Sequence, residues 1–179
     1  MKKSWIVVSV VAMGLAVQVG VASAKAKKET NRQVLDRWFQ VVDSKQIEKI
    51  PELETSDFEM RMPMGIIRGP EGHMQMAKGF ATAFPNFKHV VERCIESGDL
   101  ITCEGRFVGD HTGPLMTPDG QTIPATNKHV DFAFLGMAEV KGGKVANVHV
   151  YFDNMGFMQQ LGLMPAPGAK PAAAPAKTK

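Results

Sequence analysis

The sequence predicts an α+β domain, on three observations. Apolar residues recur at helical spacing in its first half, the period switches to two in its second half, and glycine-bearing turns separate the later runs. From Asn31 to Ser44, Val34, Leu35, Trp38, Val41 and Val42 share one helical face, with charges opposite. A shorter helical stretch, Gln46 to Leu53, is interrupted early by Pro51. Asp57 to Met64 alternates as a strand and places Phe58, Met60, Met62 and Met64 on one face. Gly69-Pro70 opens the next helix, because proline is favoured at a first helical position, and that helix stops near Phe84, ahead of Pro85. Phe87 to Glu96 and Leu100 to Gly109 then read as strands joined across Ser97-Gly98-Asp99. A long connection, Asp110 to Asn127, precedes a second hairpin of Lys128–Val140 and Lys144–Phe152, turned at Gly142-Gly143. A short helix from Asn154 to Leu161 ends at Gly162, and no internal repeat is present.

The ends of the chain read differently. Lys2 and Lys3, the apolar run Trp5 to Val21 and the small-residue pattern Ala22-Ser23-Ala24 make residues 1–24 a secretory signal peptide, with a flexible stretch at 25–30. The apolar run is short and holds Gln18, so no membrane span is expected once it is cleaved. The expected location is periplasmic or secreted. Residues 166–179, of Pro, Ala, Gly, Lys and Thr, hold too little apolar surface to offset chain entropy and are expected to form a disordered tail. Setting aside the eight lysines of the two ends leaves 13 basic against 18 acidic residues, near −5. The basic balance therefore belongs to the ends, and the domain at 31–165 lacks the basic face that nucleic-acid binding needs.

Two cysteines flank one hairpin turn. With Gly98-Asp99 as the loop, Cys94 and Cys103 sit directly opposite; with Ser97-Gly98 they are diagonal neighbours; a bulge would separate them. A cross-strand disulfide and two free thiols are both open, and neither cysteine has a histidine placed to activate it. Twelve methionines include Met60, Met62 and Met64 on one strand face. Thioethers bind soft Cu(I), but methionine is also an adaptable lining for apolar pockets, which is the preferred reading; no metal and no cofactor is expected.

The segments AFPNFKHVVERCIESGDLITCEGRFVGDHTG and GGKVANVHVYFDNMGFMQQLGLMP resemble the middle and the C-terminus of SnoaL-like polyketide cyclases, and the element order from Asn31 to Pro165 is similar. The resemblance implies a cone-shaped fold shared with nuclear transport factor 2-like proteins, a curved antiparallel sheet packed on N-terminal helices, often dimeric through the sheet. It also implies a pocket for a small hydrophobic or carbonyl-bearing molecule. On the last strand Asn147, His149, Tyr151 and Asp153 share one face, while Val148, Val150 and Phe152 share the other. The family's catalytic carboxylate matches Asp153. In an apolar pocket that carboxylate would be a general base for aldol chemistry, with His149 or Tyr151 as donor to the enolate oxygen. An ordinary solvent-facing strand is the competing reading. Asn147, Tyr151, Met60 and Met62 are further ligand-binding candidates. Arg61 stands where many relatives carry histidine or aspartate and faces either an anionic ligand or solvent. His111, in His-Thr-Gly, either shapes the pocket mouth or stabilises a turn. His73, His89 and His129 have no evident partner and read as surface residues. Enzyme and non-catalytic binding protein are the two leading functions, with copper handling behind them.

Overall fold

The computed structural model describes residues 29–117 and 120–165; the segments expected to be a signal peptide and a disordered tail lie outside these residues. Helix α1 (Asn31–Asp43) is capped by Thr30, whose hydroxyl accepts from the Gln33 amide while the Gln33 side chain accepts from the Thr30 amide. Its buried residues are Val34, Leu35, Trp38, Val41 and Val42, the stripe that the spacing predicts. A 3-10 turn (Ile47–Lys49) leads into the single-turn α2 (Ile50–Leu53), with Pro51 at a position that needs no amide hydrogen. Strands β1 (Glu54–Met62) and β2 (Gly65–Arg68) form a hairpin, followed by α3 (Gly69–Ala83). Then come β3 (Lys88–Ser97), β4 (Leu100–Asp110), the two-residue strands β5 (Leu115–Met116) and β6 (Thr122–Ile123), β7 (His129–Lys141), β8 (Lys144–Phe152) and α4 (Asn154–Gln160). The short strand β2 and the β5–β6 pair are absent from the sequence reading, because each is too brief to carry a period.

Six strands make one sheet in the order β2-β1-β8-β7-β4-β3. All neighbours are antiparallel except β1 and β8, which run parallel and bring the start of the domain beside its end. The Gly98-Asp99 loop joins Ser97 to Leu100, so Cys94 pairs with Cys103 across β3 and β4, and the two form a disulfide. Shape at this edge depends on one glycine. A side chain at Gly105 would bring a Cβ within 2.4 Å of the Val90 carbonyl oxygen, so only glycine lets β3 and Phe134 close over β4. The helices lie on one face of the sheet, and the apolar core fills the space between. Among the described residues no helix is long and apolar enough to cross a membrane.

Candidate functional site

The inner face of the sheet and the helices bound a cavity of about 130 Å³. That is room for several waters or a small organic molecule. Strand register builds its floor. Met60 lies beside Val148, Val148 opposite Ala138, Val150 opposite Gly136 and Phe152 opposite Phe134, all on the inner face. Met62, Met64 and Met76 add pliable thioether walls, and Phe39, Phe80, Phe107, Phe132 and Phe157 add rings. Into this apolar surface come two imidazoles, His73 and His89.

His73 is the deeper. On α3 it begins a stripe with Ala77, Phe80 and Phe84, which turns it inward. Only 2% of its side chain is exposed. Behind it, at the first residue of β1, the Glu54 side chain is 0% exposed. The Trp38 indole N–H donates to Glu54 Oε1 at 2.7 Å, and His73 Nδ1 lies 2.5 Å from the same oxygen. Glu54 Oε2 is buried and has no partner among the described residues. The imidazole is stacked between Trp38, 5.2 Å away at 26°, and Phe58, 5.5 Å away at 25°. Set against a carboxylate acceptor, Nδ1 is the nitrogen that donates, and Nε2, which carries a lone pair in the neutral ring, is the nitrogen left over on the cavity-lining residue. No hydrogen bond within the described residues occupies Nε2. Carboxylates are almost never buried this deeply unless paired, and this one is spent on fixing the tautomer and orientation of one imidazole. The arrangement suits an acceptor of one proton at the wall of an apolar pocket.

Several expectations are corrected here. Asp153 is exposed and is the N-cap of α4: its Oδ1 accepts from the Gly156 amide at 2.8 Å. A Cβ at position 156 would come within 2.5 Å of Asp153 Oδ2, so glycine there is part of the cap. Asn147, His149 and Tyr151 lie on the outer face of the sheet and do not line the cavity. Asn147 donates to Glu139, and Tyr151 is 59% exposed beside Leu135. Arg61 is exposed and paired with Glu59 at 2.6 Å. The physical reason is desolvation. The cavity is continuous with the core, so the Val148-Val150-Phe152 face turns inward, and four polar groups avoid losing water without partners. Met60 and Met62 do line the cavity. His73 is buried rather than superficial, His89 is partly buried against Asp43, and His129 is exposed but sits 2.6 Å from Asp110. The helical stripe through Ala77 and Phe80 was the signal for His73, and the Asp-x-x-Gly start of a helix was the signal for the Asp153 cap.

His111 stands apart from the cavity and is 0% exposed. Its Nδ1 accepts from the Thr126 amide at 3.2 Å, its backbone bonds Asn127 and Lys128, and its ring packs on Phe84 at 4.9 Å. It fastens the long connection to the core. Burial holds its pKa below the ordinary 6.5. The folded state therefore resists taking a proton that the unfolded chain accepts, so stability present above pH 6.5 is lost as the pH falls below it. Urea unfolding at pH 7.5 and 5.5 should show lower stability at the acidic value. His111→Asn should flatten that difference, and an equal pH response in both proteins would refute it.

Residues 32–161 match the SnoaL-like polyketide cyclase family, and the chain belongs to it. Among solved structures, the fold is similar to a protein of Jannaschia sp. CCS1 provisionally described as a SnoaL-like polyketide cyclase. The identity is 18% and the TM-score 0.65, over 78% of this chain and 99% of that one. A Bacillus cereus protein, provisionally described as a polyketide cyclase, is 27% identical with a TM-score of 0.62, over 75% and 82%. TerC, co-crystallised with polyporic acid, is 18% identical with a TM-score of 0.57, over 74% and 98%. No curated protein matches this sequence.

Proposed function

We propose that the mature chain is an exported protein that binds a small, mostly apolar, carbonyl-bearing molecule in its cavity and moves a proton on it, with His73 as the base. One observation carries this reading: an imidazole at an apolar cavity whose Nδ1 is held by a buried carboxylate and whose Nε2 has no hydrogen-bond partner among the described residues. Nε2 takes a proton from the carbon next to the carbonyl, and the C–H electron pair forms the enolate. The enolate carbon can then attack a second carbonyl of the same molecule, with the proton returned from His73 to the new alkoxide. Excluding water from the cavity protects the enolate from protonation by solvent. Family membership and the co-crystallised organic ligand of TerC support the small-molecule class. The Cys94–Cys103 disulfide supports an oxidising compartment, in line with the signal segment. A binding role without turnover uses the same cavity and is the second reading.

Native mass spectrometry of protein purified from its own envelope tests all three parts. A co-purifying organic ligand and an N-terminus at Lys25 are expected; an empty cavity and a retained leader would count against binding and export. Turnover of that ligand by the wild type, and its loss in His73→Gln, separates enzyme from binder.

The outer face of the sheet supports a homodimer. Leu135, Met137 and Tyr151 are exposed neighbours there, an apolar patch unusual on a lone sheet face. Light scattering should find a dimer that Tyr151→Lys together with Leu135→Lys converts to monomer; a wild-type monomer would dismiss the interface.

A further inference from the structure

The proton-acceptor role leaves His89 unexplained. It comes from β3, the far edge of the sheet, whereas His73 stands beside β1 near the other edge. Its Nδ1 lies 2.7 Å from Asp43 Oδ1, at the C-terminal end of α1, and its amide donates to the same carboxylate at 3.0 Å. Asp43 is itself braced: two residues on, the Lys45 ammonium donates to the Asp43 and Phe87 carbonyls at 2.9 and 2.7 Å and sits 3.4 Å over the Phe87 ring. The His89 ring is set among Phe39, Phe87, Phe107 and Phe134, with centroids 5.3 to 5.8 Å away. It lines the cavity with 21% of its side chain accessible, so it is the shallower of the two imidazoles. As with His73, the carboxylate occupies Nδ1, and no hydrogen bond within the described residues occupies Nε2.

A purely mechanical tie between α1 and β3 would need no imidazole, because the His89 amide already bonds Asp43. The ring adds a second contact to that carboxylate and sets its polar edge among phenyl rings. The two histidines are also linked by a chain of ring contacts: His73 stacks on Trp38, Trp38 meets Phe39 edge-on and Phe39 is tilted against His89, in centroid steps of 5.2, 5.2 and 5.3 Å. One apolar, ring-lined space thus has one imidazole deep in its wall and a second, shallower one.

We propose that His89, held by Asp43, is a second ligand-binding residue, and that it and His73 grip the two ends of one flat, largely apolar molecule carrying a hydrogen-bonding oxygen at each end. The inference rests on reading the cavity as the ligand site. Flatness follows from the walls, since Phe107, Phe132, Phe134 and Phe152 favour a conjugated ring system by stacked and edge contacts. The paired oxygens follow from the paired imidazoles, each of which accepts from a hydroxyl when neutral or donates to a carbonyl when protonated.

Affinities of 1-naphthol, 2-naphthol and the 1,5-, 2,6- and 2,7-dihydroxynaphthalenes, measured by calorimetry on the full mature chain, test this. At least one diol should bind about 3- to 10-fold tighter than either naphthol, the gain of one added hydrogen bond. In His89→Leu that gain should vanish while the naphthols bind within about twofold of wild type, whereas His73→Leu should weaken the naphthols themselves. Each diol is compared with naphthol in the same variant, so a general loss of stability cancels, and thermal melts check folding. If the naphthols bind through His73 but no diol gains, or the gain survives His89→Leu, His89 is only a tie and the inference falls alone. If neither naphthols nor diols bind, the reading of the cavity as a ligand site falls and takes the inference with it.

Discussion

Glu54→Ala should unfold this domain at a temperature lower by roughly 10 °C or more, a large effect for one side chain. The Glu54 side chain is wholly buried, and one of its oxygens serves two donors, the Trp38 indole and His73 Nδ1. Truncation leaves both donors unpaired in a space that water reaches poorly, at about 1–3 kcal/mol each. It also opens a void beside Trp38, so a total of about 3–5 kcal/mol is expected. Glu54→Gln separates stability from function. Its amide oxygen can still accept from both donors, so most of the stability should return, but the orienting charge behind His73 is gone. A melt of Glu54→Gln close to wild type, with turnover reduced, would mark Glu54 as a positioning residue. A melt of Glu54→Ala within about 2 °C of wild type would show that the buried carboxylate supports nothing.

The architecture was more legible than the site, for a physical reason. Helix α1, the helix opened by Gly69-Pro70 and the two long hairpins follow from periods of 3.6 and 2, which are local properties of sequence. Which face of β8 turns inward is not local. Alternation divides Asn147, His149, Tyr151 and Asp153 from Val148, Val150 and Phe152, but either face could have met a polar pocket. What decides is that the pocket here is an extension of the core, so the ordinary rule of apolar faces inward holds even at the site. The Glu54–His73–Trp38 group was hidden differently. Its members come from the start of β1, from α3 and from α1, with Glu54 and His73 separated by 19 residues, and no short motif joins them. The lone polar residue on an otherwise apolar helical stripe was the available sign, because burial of an imidazole demands a partner. Cysteine pairing was legible up to the turn: once the loop is Gly98-Asp99, opposition of Cys94 and Cys103 follows.

His73→Gln should lower kcat by about 10²- to 10⁴-fold on the co-purified ligand, with KM changed far less. An amide cannot take up a proton at neutral pH, yet glutamine is near enough in size to stay between Trp38 and Phe58 and to keep the cavity shape. The stability cost should be about 1–2 kcal/mol, since stacking and one hydrogen bond to Glu54 are weakened. Asp153→Asn is the decisive companion. Asparagine caps a helix about as well as aspartate, so the bond from the Gly156 amide survives, and both melting temperature and turnover should match wild type. The two candidate bases therefore make opposite predictions from substitutions of similar severity. If Asp153→Asn abolished turnover while His73→Gln left it intact, the proton would be moving on the outer side of β8, and the cavity would be a binding space without the chemistry assigned to it here.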